Sequence, residues 1–118
     1  MTRDEALARL DQSFAQPSAT PDHGVVDRES FLKAERAKLR ALVIDPIAVV
    51  AVPSDWAKRY SDLRGERYEM YAVAGDGKQW LLFDPRTENF SQATGDIRSG
   101  AVELTGWASR DALAEWRG

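Results

Sequence analysis

Glu66 to Phe90, ERYEMYAVAGDGKQWLLFDPRTENF, is the stretch that decides the fold. Two apolar runs, Tyr68 to Ala74 and Gln79 to Phe83, flank Gly75-Asp76-Gly77-Lys78. An Asp-Gly pair between strand-like runs predicts a hairpin, because both residues tolerate the positive φ that a tight turn matched to strand twist requires. The first run alternates, with Tyr68, Met70, Ala72 and Ala74 on one face and Glu69, Tyr71 and Val73 on the other. The second, Trp80-Leu81-Leu82-Phe83, is apolar on both faces, which suits a central strand covered on both sides. Asp84-Pro85 ends it, since proline cannot donate to the ladder.

Working outward, Thr2-Arg3-Asp4-Glu5 matches a capping box, and Leu7, Leu10 and Phe14 follow at helical spacing. The pattern predicts a helix from about Arg3 to Ala15. Gln16 to Gly24, with two Pro and one Gly, reads as a loop. Residues 1–24 therefore form an N-terminal helical arm and linker, docked through Leu7, Leu10 and Phe14 or loosely attached. Asp27 caps a second helix, Arg28 to Val43, with Phe31, Leu32, Leu39, Leu42 and Val43 on one stripe and Lys33, Arg36 and Arg40 opposite. Glu35 falls inside the apolar stripe; it reads as a carboxylate reaching out at the stripe's edge, with a partly buried acid that has an arginine partner or a raised pKa as the alternative. Asp45-Pro46 stops the helix. Ile47 to Val52 reads as a strand, and Ser54 caps a helix to Arg64 whose Trp56, Tyr60 and Leu63 are expected to pack on the sheet. Phe90 to Ala93 and Ala101 to Leu104 read as further strands. Ile97 to Gly100 is ambiguous, and Ser109 is the expected cap of a last helix ending at Arg117. The sum is an α+β chain of residues 1–118: an antiparallel sheet of about four or five strands with helices packed against it.

Composition narrows the classes. The chain has 118 residues, 43% hydrophobic and 30% charged, with a net charge of −3 and no Cys. That is enough chain to bury a core without staples. No apolar run reaches membrane-spanning length, and MTRDEALARL lacks the apolar stretch of a secretory signal, so a cytoplasmic location is expected. Without cysteine there is no disulfide framework, thiolate nucleophile or thiolate metal site. Charge is uneven: residues 1–30 carry three basic and six acidic side chains, residues 31–64 seven and four, and residues 65–118 six and nine.

No catalytic, metal or cofactor motif is visible, so no catalytic residue, metal ligand or cofactor is assigned. Gly75 and Gly77 lack the Lys-Ser/Thr and following helix of a phosphate loop. His23, the single histidine, sits in the 16–24 loop without a visible partner. The face of Lys33, Arg36 and Arg40 reads as a solvated surface rather than a nucleic-acid contact. Tyr68, Tyr71, Trp80, Phe83 and Phe90 have few basic neighbours and read as core rather than a base-stacking platform.

One resemblance bears on function. Trp80-Leu81, Phe83-Asp84-Pro85, Thr87, Phe90 and Ala93, followed by Gly106-Trp107, Ser109, Leu113 and Trp116, resemble the C-terminal half of SUKH-type and related small immunity proteins of bacterial polymorphic toxin systems. The resemblance implies a non-catalytic α+β domain that binds and blocks a cognate toxin in the cytoplasm. Asp84, Arg86 and Glu88, in the loop after the central strand, and Asp96, in the next loop, are the expected partner-binding residues, with acids steering a basic partner. The alternative is an adaptor domain for another protein, including a homodimer. An enzyme or nucleic-acid binder is the third class.

Overall fold

The computed structural model describes residues 1–118. In chain order it contains α1 (Arg3–Phe14), α2 (Arg28–Ala41), β1 (Val43–Pro53), α3 (Asp55–Tyr60), β2 (Tyr68–Gly75), β3 (Gln79–Asp84), β4 (Asn89–Thr94), a 3-10 turn (Ile97–Ser99), β5 (Ala101–Ser109) and α4 (Ala112–Arg117). No helix is long and apolar enough to cross a membrane.

The β2–β3 hairpin forms around Asp76 and Gly77. Asp76 accepts the backbone N–H groups of Lys78 at 3.0 Å and Gln79 at 2.8 Å, and these hold its carboxyl below the usual aspartate range, Gln79 foremost. Gly77 takes φ +96°, which an L side chain resists. Gly75 matters for a different reason: a Cβ built on it lies 2.1 Å from the Trp80 ring.

Each strand from β1 to β5 pairs antiparallel with the next. Then β5 returns to β1, placing Val50–Pro53 beside Ala101–Leu104, and the sheet closes into a barrel. This last pair is parallel, where an antiparallel sheet was expected. The reason is parity: directions alternate along a meander, so a first and a fifth strand point the same way.

Closure creates two cores. Trp80 and Leu82 of β3 point into the barrel, against Val49, Met70, Ala72 and Leu104. Leu81 and Phe83 point outward, under α1, α2 and α4, against Leu10, Leu39 and Leu113. The two-faced apolarity of β3 is thereby explained. Leu10, Leu81, Leu82 and Leu104 are all 0% exposed, and each contributes about 1.5–3 kcal/mol by burial. A register shift in β2 between Ala72 and Ala74 turns Ala74 to the helix side, away from Met70 and Ala72 with which simple alternation groups it.

The N-terminal arm is docked. Beyond Leu10, the Ser13 hydroxyl donates to the Arg110 carbonyl and accepts from the Ala112 N–H. The linker is pinned as well, by Arg28 donating to the Ser18 and Thr20 carbonyls and by Asp111 accepting from Ser18 and the Ala19 N–H.

Several local expectations shift. Helix α2 ends at Ala41, not Val43, and β1 begins at Val43 and runs through Asp45-Pro46; the register shift between Val43 and Ile47 absorbs the proline. Helix α3 stops at Tyr60 rather than Arg64, because the Ser61 hydroxyl donates to the Ala57 carbonyl and accepts from the Leu63 N–H, leading the chain into extended backbone. Strand β5 continues past Leu104 to Ser109, and the cap of α4 is Asp111, not Ser109. Glu35 is not a snorkelling edge residue. Its side chain is only 15% exposed and sits between Arg117 at 2.7 Å and Lys38 at 3.1 Å.

Candidate interaction face

The helices cover one side of the barrel and leave the other bare. Helix α3 sits at the edge of the bare side. Ser54 caps it by accepting from the Ala57 N–H at 3.1 Å, and Asp55 lies in its first turn. The helix is only six residues long and buries Ala57 completely. With the small residue inward, Trp56 and Tyr60, one turn apart, stand outward with ring centroids 5.4 Å apart. In β5, Val102 and Leu104 face the interior, so Glu103, Thr105 and Trp107 face out. Trp107 meets Trp56 edge to face, centroids 5.7 Å apart and planes at 89°.

These three rings remain 45% (Trp56), 53% (Tyr60) and 52% (Trp107) exposed. Val52 on neighbouring β1 is 40% exposed. Beside Val52 lies a shallow depression of about 480 Å³, bordered by Arg67, Glu66 and Gly100. It adjoins a wider groove of about 690 Å³ over Val50, Tyr68, Tyr71 and Arg86. The arrangement offers rigid apolar anchors, ringed by charge, on a closed barrel.

The residues expected to bind a partner are placed differently. Asp84 is folded inward, its side chain 4% exposed, accepting the Arg86 N–H at 2.9 Å with the Arg86 guanidinium at 3.5 Å. It starts the β3–β4 turn. Arg86 is 68% exposed, with its guanidinium against Asp84. Glu88 adopts φ +61° and is held by Arg9 at 2.6 Å and Arg110 at 3.8 Å, so its charge is neutralised within the fold. Asp96 accepts the Arg98 N–H and side chain, which keep its carboxyl below the usual range. It does not stand beside the other three. Strand β4 separates the two turns, and six residues of strand put them roughly 17–20 Å apart, at opposite ends.

Sequence patterning missed Trp56, Tyr60 and Trp107. Spacing of i, i+4 marks the first two as a stripe but does not say whether the stripe faces the core. Trp107 carried a usable signal: counting by two from Val102 and Leu104 puts it on the polar face. No group of three or more His, Cys, Asp or Glu side chains gathers to hold a metal ion. Compared with protein-family models, curated proteins and solved structures, the chain gives no match.

Proposed function

We propose that this chain is a non-catalytic protein-binding domain and that its bare face, anchored by Trp56, Tyr60 and Trp107, is the contact surface. The supporting observation is that three large aromatic side chains, each about half exposed, touch one another outside either core. Exposed aromatic clusters on rigid scaffolds are the usual anchors of protein contacts, because they bury much area at little cost in side-chain entropy. Among protein partners, the resemblance of the Trp80–Trp116 stretch to immunity proteins favours a toxin of the same cell, bound and blocked in the cytoplasm.

A benzophenone side chain at position 107 tests the surface in the living cell. We expect one adduct of fixed mass, competed away by excess wild-type domain but not by a domain carrying Trp56→Ala and Trp107→Ala. The same probe at Ala37, exposed on the helix side, should give none. Equal adducts from the two positions would sink the assignment of this face. If the captured protein arrests growth when expressed alone, and this domain restores growth, the toxin form of the proposal holds; a harmless partner overturns that form.

A further inference from the structure

We propose that the mouth of the barrel beside the β3–β4 turn is a binding pocket for a primary alkylammonium group, held by Asp84 and Ser91; the proposal is independent of the aromatic face. Alternation builds the pocket. Trp80 and Leu82 point into the barrel, so Asp84, two residues on, is the last inward position of β3. Across the ladder Leu82 pairs with Ser91 and Asp84 with Asn89, and directly opposed residues share a face. A carboxylate, a hydroxyl and an amide thus gather at one end of an otherwise apolar interior. They line a cavity of about 160 Å³, with Leu63 and Met70 as its apolar wall and Asp62 as a second acid. Barrel mouths are common places for small-ligand sites.

Two buried polar atoms there are unused. Ser91 is 1% exposed, yet its hydroxyl makes no hydrogen bond within the chain. The Asp84 side chain is nearly as enclosed; its Oδ1 accepts the Arg86 N–H and faces the Arg86 guanidinium, while no donor of the chain reaches Oδ2. Among fully enclosed side-chain polar atoms only Arg36 Nε lacks a partner, so Oδ2 and the Ser91 Oγ each keep an opening, and the cavity they line is where they open. Buried acceptors of this kind favour a ligand that brings donors.

Charge selects the ligand. Two carboxylates, Asp62 and Asp84, and one arginine, Arg86, line the cavity, and Asp62 forms no ion pair. That balance favours a monocation over an anion. A divalent metal is poorly served, because no three carboxylate or imidazole groups converge and Asp84 already shares Arg86. The apolar wall suits a short alkyl chain, and the space equals that of about five waters. An ammonium at its end has three N–H donors, for Oδ2, the Ser91 Oγ and the Asn89 amide oxygen. Two sources carry that group: a free short amine and the lysine side chain of a bound protein.

Titration of the backbone amide resonances with n-butylammonium chloride tests the pocket. The expected result is saturable shifts at Asp84, Thr87, Asn89 and Ser91, with a dissociation constant on the order of 1 mM, and none at Ala37. n-Butanol, which lacks the charge, and tetramethylammonium, which lacks N–H donors, should bind at least ~10-fold more weakly. Asp84→Asn keeps an acceptor for the Arg86 N–H but loses the charge, and should weaken n-butylammonium at least ~10-fold. Ser91→Ala removes a hydroxyl that has no partner in the chain, and should weaken it ~3-fold or more in a protein with an otherwise unchanged spectrum. No saturable shift at about 100 times the expected constant overturns the proposal. So does equal binding of n-butanol, or binding indifferent to both substitutions. A lysine blocked at both backbone ends is titrated in parallel: binding equal to that of n-butylammonium assigns the pocket to a protein lysine, and rejection assigns it to a free amine.

Discussion

The two sides of this barrel are built from similar residues that are used in opposite ways. On the helix side, aromatic and aliphatic groups are covered: Phe83 is 2% and Phe90 3% exposed, with their rings 5.2 Å apart. Two arginines there serve the fold. Arg9 lies over Phe83 while pairing with Glu88, and Arg117 lies over Phe31 while pairing with Glu35. On the bare side, Trp56 meets Tyr60 and Trp107 with all three rings about half exposed, and Lys58 and Arg59 beside them form no ion pair. One side is finished by its own chain. The other is finished only by something else, and the difference locates function where side chains stabilise least.

Stability measurements can break that contrast. The largest effect is expected from Leu10→Ala or Leu81→Ala, both 0% exposed in the helix-side core; each should cost about 2–5 kcal/mol in denaturant melts. Trp107→Ala, although it removes a larger side chain, gives up a half-exposed ring and its edge-to-face contact with Trp56, and should cost the monomer less, about 0.5–1.5 kcal/mol. If the tryptophan proves as costly as the leucines, the bare face is a third core and not a contact surface.

The hairpin sharpens the comparison from inside the barrel, on which both sides rest. Gly75→Ala should destabilise by about 1–3 kcal/mol, because its methyl group meets the Trp80 ring, itself buried and tied through its Nε1 to the Gly95 carbonyl. Gly77→Val should cost the same order, about 1–3 kcal/mol, through backbone strain at φ +96° with open space around it. Thermal melts that coincide with wild type for Gly75→Ala would mean that Trp80 gives way freely.

The smallest effect concerns a buried acid on the covered side that forms no ion pair. Glu115 is 9% exposed. Burial pushes its carboxyl above the ordinary value of 4.5, a Ser109 hydrogen bond partly offsets this, and the Asp111 charge adds to it. The folded state therefore holds this proton more tightly than the unfolded chain. Its contribution to stability is full below the unfolded value and is lost as pH rises through the folded one. Glu115→Gln should be more stable than wild type at pH 7, with the gap shrinking as pH falls toward 4.5. A pH-independent gap would show that the shift is absent.

Much of the fold was legible because its cues are local. Asp76-Gly77 fixes its turn through its own backbone and two adjacent N–H groups, and Thr2 and Glu5 cap α1 reciprocally within four residues. Trp80 to Phe83 announces cover on both sides by composition alone. Barrel closure was not legible, since Val50 beside Ala101 is a pairing across half the chain that no spacing encodes. Proline misled at Pro46, where a bulged strand accommodates what a helix cannot. At the candidate site, Asp84 behaved as the turn starter its position before proline suggests. Trp56 and Tyr60 were misplaced because a six-residue helix has too little periodicity to declare its inner face.

The parallel seam between β1 and β5 also sets the order of events at synthesis. The strand that seals the barrel emerges some fifty residues after the strand it seals against. Until Ala101 to Leu104 has been made, Val50 to Pro53 lacks a neighbour on that side, and Val49, Met70 and Leu82 lack the Val102 and Leu104 side chains that close over them. A nascent chain stalled before β5 thus exposes an open strand edge and half a core, the two features that recruit wrong partners. Folding waits on the seam, and a high fraction of distant contacts makes the wait long relative to a helical bundle of equal size. The domain becomes a domain late.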